Sequence, residues 1–420
     1  MGVAVREAFS FWTGHPFDFE IWVRLGYYVS KGRDPYTFLQ PVRGLSMPGI
    51  GVLPSIGYPP LWAFMQAAVY RLYSFIGVDN RFLYYFLIKQ EMITGDIVAA
   101  FLIYKIVGRR APRGDASAAF SFWMLCPITI ILSSIWGMFD QLALVLILLS
   151  LLTLSSVTKS SVLEGIGVLL KGIPLIYLPG LALAQRSTSR RVAYLSIGIL
   201  VAVSLSLAPY LVFHTWKLSS IFSTGLSTVN KIYNSINFWV VVYVWSNFLP
   251  VSSSVVQALT WLGYAWIAGV LGAYAFCFFR VGRERITEQY LVTALLFATV
   301  VFYLTRINVN EQYIVYFLGF GLIDRYWNGP KRKRLFDGIW LTTLAFLAFN
   351  NTYFTRFLAP VSVYFTYLND QIASGLSGDV RFGAMVLCGV VFTVLCALYL
   401  RSLYSDISAY KHGIASTAPA

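Results

Sequence analysis

The sequence predicts an all-α, polytopic membrane protein, and three observations carry that prediction. Of its 420 residues, 58% are hydrophobic, 17% aromatic and only 12% charged, about half the charged fraction of an ordinary soluble domain. Apolar runs long enough to cross a bilayer recur along the chain. The basic residues behind the formal net charge of +14 gather in short loops between those runs. That is the positive-inside pattern, not the single basic face that a nucleic acid would need.

Taken in order, the apolar runs lie at roughly 82–107, 116–136, 138–158, 192–213, 255–279, 287–304, 312–327, 336–356 and 381–404. A helix crosses a bilayer in about 20 residues, so these runs predict about nine spans. The loops at 108–114 (GRRAPRG), 186–191 (RSTSRR), 280–285 (RVGRER) and 331–334 (KRKR) are basic, as is the tail carrying Arg401 and Lys411. All are expected on the cytoplasmic side. The opening segment holds Arg6 and Glu7 and lacks the apolar core of a cleavable signal peptide. Cys126, Cys277, Cys388 and Cys396 fall within apolar runs without metal-type spacing, and read as core or lipid-facing residues.

Each crossing flips the side, which makes the assignment checkable by parity. Two spans after the loop at 108 place GMFDQ (137–141) outside and Lys159 inside. The following apolar stretch has basic flanks on both sides, so one crossing would strand RSTSRR outside. A broken hairpin repairs this, rising from about Val162, turning at 171–174 (KGIP) and descending to Ala184. Pro174 lacks an N–H and disfavours helix in the residue before it, and Gly172 adds a second weak point. Lys171 then sits at the apex. The alternative is one buried helix with a snorkelling lysine. Further on, 214–237 is expected outside and 237–249 is too short to cross.

Parity also places the segment before Arg81 outside. The run 59–78 carries Arg71 near its middle, which costs about 2.5–3.5 kcal/mol at a helix centre and favours an interfacial position over insertion. Three regions follow: an extracytoplasmic acidic loop with interfacial helices at 1–81, a membrane module at 82–327, and C-terminal spans with a cytoplasmic tail at 328–420.

Several short elements occur in a telling order. Asp18-Phe-Glu20 precedes Gly32-Arg-Asp-Pro-Tyr36 and Tyr58-Pro-Pro-Leu61; then come GDIVAAFLIYKIVGRR, SSIWGMFDQ, LLKGIPLIYLP and NEQYIVYFL. Over roughly residues 17–320 this order resembles the GPI mannosyltransferase I family and its prokaryotic relatives, within the GT-C superfamily of polyprenyl-phosphate-sugar glycosyltransferases. The resemblance implies a GT-C-type transmembrane helix bundle with an extracytoplasmic first loop. It also implies an inverting transfer of mannose from a polyprenyl (dolichyl) phosphate donor to a lipid- or glycan-linked hydroxyl. Two features depart from the family: Glu20 stands where Asp is usual, and the helix expected ahead of the acidic pair is absent. No motif aligns after about residue 330.

Such a transfer needs a base for the acceptor proton and charge stabilisation for the departing phosphate. Asp18 is the leading base and Glu20 the second candidate; their i, i+2 spacing separates them on a helix but aligns them on an extended segment. Lys171 and Arg306 are the candidate ligands of the donor phosphate, with interfacial anchoring as the plainer role. Asp140, Tyr58 and Glu311 are candidate substrate-binding residues, and the two acids equally suit a divalent ion or structural ion pairs. Lys89, Glu91 and Asp96 lie inside an apolar run and must face protein or water; Asp96 matches the family's aspartate.

His15, His214 and His412 show no metal-ligand pattern. A divalent metal is compatible with the acidic pair, although oxygen ligands alone identify none; no other cofactor is indicated. The implied partners are the polyprenyl-phosphate sugar, a lipid- or glycan-linked acceptor and the membrane, without nucleic acid. The setting would be a plasma membrane in a prokaryote or the ER membrane in a eukaryote, with an extracytoplasmic active site. The competing class is a transporter or lipid flippase, in which intramembrane charges line a pathway. Here most charges gather in the outer loops and no inverted repeat is evident, which favours surface chemistry.

Overall fold

The computed structural model describes residues 1–54, 56–213, 216, 219, 235–248, 253–279, 281 and 286–411. Most of the expected outer segment 214–237, most of the basic loop 280–285, and His214 and His412 lie outside the described residues. Among the described residues the chain is helical, and the one β-bridge joins Leu39 to Leu53.

Ten helices precede residue 213: α1 (Gly2–Ser10), α2 (Asp18–Ser30), α3 (Pro60–Ile76), α4 (Arg81–Val107), α5 (Arg113–Leu125), α6 (Pro127–Ile130), α7 (Asp140–Leu152), α8 (Val157–Leu170), α9 (Leu178–Leu183) and α10 (Thr188–Val212). Among the described residues eight more follow it: α11 (Val240–Phe248), α12 (Ser253–Leu262), α13 (Ala265–Phe278), α14 (Glu288–Thr305), α15 (Ile314–Trp327), α16 (Lys333–Asn350), α17 (Val363–Ala373) and α18 (Gly375–Lys411).

Helix α4 is the spine. The Asn80 side chain caps it by accepting from Phe82 N and Leu83 N, and at 1.5 Å per residue its 27 residues span about 40 Å. Its charges Lys89 and Asp96 are buried in protein rather than set in lipid. Asp96 pairs with Arg6 of α1 at 2.8 Å, and Lys89 donates to Thr13 O, Thr13 Oγ1 and Ser134 O. Thus α1 occupies the place ahead of the acidic pair where a helix was missed.

The two ends of α4 define the two faces of the molecule. At one end Arg81 donates to Pro360 O; at the other Trp327 donates to Val107 O. The second end gathers the basic loops: Arg109 pairs with Glu288, Arg332 with Asp324 and Asp406, and Thr287 meets Tyr410. This is the clustering that parity required.

Helix α8, the break at Lys171 and the return through a 3₁₀ turn (Ile173–Ile176) and α9 form the expected hairpin. Gln185 donates to Leu154 O and Arg190 to Ser155 O, so both legs finish at the same level. Gly198 of α10 touches Ser161 O on one leg and Leu178 on the other; on one straight helix those residues would stand about 25 Å apart. A Cβ at Gly165 would lie 2.6 Å from Gly198 O, the close small-residue approach typical of helices packed in membranes.

The expected nine uninterrupted spans are corrected by the structure. Among the described residues three helices, α10, α14 and most of α18, are long and apolar enough to cross a membrane, with a fourth span if the bent pair α5 and Pro127–Trp136 counts as one. Pro127 bends the expected 116–136 run by 47° because its ring cannot continue the helix. The run then widens into a π-helical turn, Ile131–Trp136, ending at Gly137. Gly137 has φ +90° and the Phe19 ring lies 2.3 Å from where a Cβ would stand, so only glycine fits there. Other apolar runs resolve into shorter helices such as α7 and α13. Apolar side chains of α10 and α18, including Leu200, Leu211, Leu387 and Val394, face outward as lipid-facing residues do. The chain is a multi-pass membrane protein.

Candidate functional site

The site lies at the end opposite the basic loops and is built from its smallest turn outward. Ahead of α2, the Gly14 N–H donates to Phe357 O and the His15 N–H to Trp136 O, while Lys89 holds Thr13 from below. His15 Nδ1 accepts from the N–H groups of Phe17 and Asp18 at 3.3 and 3.1 Å, capping α2 as a short polar side chain would. This holds Asp18 at the first position of the helix.

Asp18 Oδ2 accepts from Trp136 Nε1 at 2.9 Å and lies 3.2 Å from His15 Nδ1. Oδ1 has no donor among the described residues, and 23% of the side chain remains exposed. The carboxyl is recessed but reachable. Burial raises the Asp18 pKa, opposed by the Trp136 donor and by the charges of Arg356 and Lys171. Burial also holds His15 well below its ordinary value, with Arg356 adding to the effect.

Glu20 has a different fate. With both acids on α2, their side chains point about 200° apart around the axis. Glu20 Oε1 accepts from Arg24 Nε at 2.6 Å and Oε2 from Met47 N at 2.9 Å. Arg24 then donates to the carbonyls of Leu39, Ile50 and Gly51, so the buried pair clamps the first loop onto α2. Burial raises the Glu20 pKa against the pull of Arg24. The first loop is also tied at Asp34, whose Oδ1 accepts from Tyr36 N, and at Tyr36, whose hydroxyl donates to Tyr58 O.

The candidate cations arrive from distant parts of the sequence. Lys171, at the hairpin break, pairs with Asp140 at 2.6 Å, both side chains buried, and Asp140 Oδ1 also accepts from the Tyr316 hydroxyl. Lys171 Nζ lies over the rings of Phe139, Tyr58 and Tyr313, 4.8, 5.1 and 5.6 Å from their centroids. The Arg306 guanidinium lies 5.5 Å from the same Tyr313 centroid and over Phe302 and Trp266. Arg306 forms no ion pair within 4 Å among the described residues. Tyr313 is therefore a shared aromatic shelf, each cation gaining about 0.5–2 kcal/mol from the ring quadrupoles.

Glu311 stands just before Tyr313 and accepts from Asn350 Nδ2. Burial is the main reason that its pKa is pushed up to about 7, with the Asp18 charge adding to it. Tyr58 is half-buried, and desolvation raises its hydroxyl pKa well above normal; Asp18, Asp140 and Arg306 all act on it electrostatically.

Asp18, Asp140, Lys171, Tyr58, Arg306 and Glu311 thus share one electrostatic neighbourhood, and Glu20 faces away from it. The sequence reading missed His15, Trp136, Tyr313, Asn350 and Arg356. Trp136 and Tyr313 stood inside quoted motifs, and His15 lay three residues before Asp18. Arg356 and Asn350 follow the last alignable motif and gave no signal. Among the described residues no three His, Cys, Asp or Glu side chains converge as a metal-holding group. A cavity of about 290 Å³ lined by Leu183, Arg191, Tyr274 and Phe278 lies at the basic end and contains no carboxylate.

Among solved structures, the chain is similar to the crystal structure of ArnT from Cupriavidus metallidurans bound to undecaprenyl phosphate. The TM-score is 0.48 at 12% sequence identity, covering 98% of this chain and 76% of that one. No family model and no curated protein matches the sequence.

Proposed function

We propose that this protein is a membrane glycosyltransferase of GT-C type. In this reading it moves a hexose from a polyprenyl phosphate to a hydroxyl of a lipid- or glycan-linked acceptor, on the membrane face opposite the basic loops. One observation carries the reading: Asp18, whose Oδ1 has no donor among the described residues, lies within the electrostatic reach of Lys171, and Lys171 shares the Tyr313 ring with Arg306. A base on one side and cations on the other are the two demands of glycosyl transfer. The sequence resemblance adds mannose as the sugar, and extracytoplasmic as the side.

Asp18 Oδ1 takes the acceptor's proton as the acceptor oxygen bonds to the anomeric carbon. The bond from that carbon to the phosphate oxygen breaks on the opposite face, which inverts the centre. The electron pair leaves with the polyprenyl phosphate, whose growing charge is met by Arg306 and Lys171. Asp140 holds and aims the Lys171 ammonium in a buried setting. Tyr58 and Glu311 border the recess as substrate contacts, and Glu20 with Arg24 holds the loop that roofs it.

The test is incubation of purified protein with radiolabelled polyprenyl-phosphate mannose and a panel of lipid and glycan acceptors. Label should reach an acceptor, and Asp18→Asn should abolish the transfer while the protein stays folded. Transfer undiminished in Asp18→Asn would overturn the assignment of the base.

A further inference from the structure

Two arginines near this site form no ion pair among the described residues. Arg356 lies in a 3₁₀ turn (Thr355–Leu358) and Arg381 on α18. They come from separate elements, yet each lies within the electrostatic reach of the other. Among the described residues neither forms an ion pair within 4 Å, and the Nε of each is buried without a hydrogen-bond partner. Arg381 is nine-tenths buried; its guanidinium lies over the Phe382 ring and, among the described residues, donates to the carbonyls of Phe349 and Asn350 at 3.4 and 3.5 Å. Buried guanidinium donors are normally satisfied, and like charges gathered without an anion are costly.

The backbone is bent to place them there. Thr352, Tyr353 and Phe354 follow one another in the left-handed region, with φ of 53°, 56° and 68°, an arrangement that non-glycine residues adopt only when the surroundings enforce it. Hydrogen bonds on both sides of the turn enforce it. Tyr353 N–H donates to Ala348 O and Thr352 Oγ1 to Asn369 Oδ1, and the Phe357 carbonyl accepts from Gly14 N–H at 2.9 Å. Phe357 also packs against His15 and Trp136, the two residues that touch Asp18. The charge of Arg356 bears on His15, Asp18 and Glu311. The turn thus delivers a cation whose charge acts on both Asp18 and Glu311.

We propose that Arg356 and Arg381 form a phosphate-binding site, distinct from the donor site on the Tyr313 shelf, which holds a phosphate carried by the acceptor near the hydroxyl that receives the sugar. The proposal rests on the glycosyltransferase reading for the word acceptor; the phosphate site itself does not depend on it. Arginine suits the task, since its fork binds phosphate oxygens in pairs and stays charged when desolvated.

The experiment uses the full chain in lipid nanodiscs and a matched pair of octyl hexosides, one neutral and one bearing a phosphate on its alkyl chain. Binding is read by calorimetry, in nanodiscs of neutral and of anionic phospholipid, and transfer is read with labelled donor. The phosphorylated ligand should bind at least 10-fold more tightly than the neutral one. Arg356→Gln and Arg381→Gln should each abolish that preference and raise the acceptor KM by 10-fold or more, with donor KM unchanged, and Arg356→Lys should restore part of it. Equal binding of both ligands by the wild type overturns the proposal, as does an equal loss for both ligands in the variants. Preference abolished by anionic phospholipid alone would assign the site to a bilayer headgroup and overturn its acceptor role. A phosphate preference without any transfer would sink the glycosyltransferase reading and leave the phosphate site standing.

Discussion

Lys171 Nζ and Asp140 Oδ2 lie 2.6 Å apart with both side chains buried, and they join the hairpin break to the first residue of α7. Removing one partner of a buried pair typically costs about 3–5 kcal/mol, so Lys171→Ala should lower the melting temperature as well as kcat. The double variant Lys171→Met with Asp140→Leu should regain most of the stability and none of the turnover. Thermal unfolding in detergent, run beside a transfer assay, checks this. Recovery of turnover in the double variant would reduce Lys171 to a structural residue.

Trp136 orients Asp18 through its indole N–H. A hydrogen bond to a charged group contributes about 1.5–3 kcal/mol, so Trp136→Phe should reduce kcat/KM by about 10- to 100-fold with little change in donor affinity. Because burial raises the Asp18 pKa, the acidic limb of the rate profile should lie above the ordinary carboxylate range. Trp136→Phe should move it higher still, since a donor that favours the charged form is lost. A pH–rate series for both proteins measures the two limbs.

Glu311 should leave a signature in stability. Its pKa rises from 4.5 to about 7 on folding, so the folded state favours the protonated form. That contribution is complete below about pH 4.5 and is lost as pH rises through 7, by roughly 3 kcal/mol at most. Unfolding of the wild type should therefore become easier across this window, and Glu311→Gln should flatten the dependence. An unchanged slope would mean that Glu311 is not the group responsible.

Glu20→Gln tests the clamp. It weakens a buried pair that holds Leu39, Ile50 and Gly51 through Arg24, so limited proteolysis should cut the 39–51 loop faster. Turnover should fall in proportion to the folded loop and recover at lower temperature. Complete loss of turnover with an intact loop would instead restore Glu20 as a base.

Sidedness is checked with single cysteines at Ser189 and Arg43, both exposed, in a variant lacking the native four. They should react with an impermeant maleimide from opposite faces. Reaction from one face would break both the hairpin and the assignment of the first loop.

What the sequence by itself determined is whatever is written along the chain. Low charge, apolar runs and basic loops specify a multi-pass membrane protein, because the bilayer imposes length and hydropathy locally. Gly172 and Pro174 between two basic flanks specified the hairpin for the same reason: the breaker and the charges that require it are neighbours. Lys171, Arg306 and Glu311 were legible as charges at the ends of apolar runs. Tertiary structure alone decided which groups meet. Asp18 and Glu20 look interchangeable in sequence, and only their placement on one helix turns Glu20 to Arg24 and leaves Asp18 open. His15, Trp136 and Arg356 reach Asp18 from three separate segments, and Tyr313 serves two cations 135 positions apart in sequence. The number of continuous spans was likewise unreadable, since hydropathy is blind to the bend at Pro127 and the π-turn that aims Trp136. Such convergence depends on long-range packing, for which no local pattern stands in the chain.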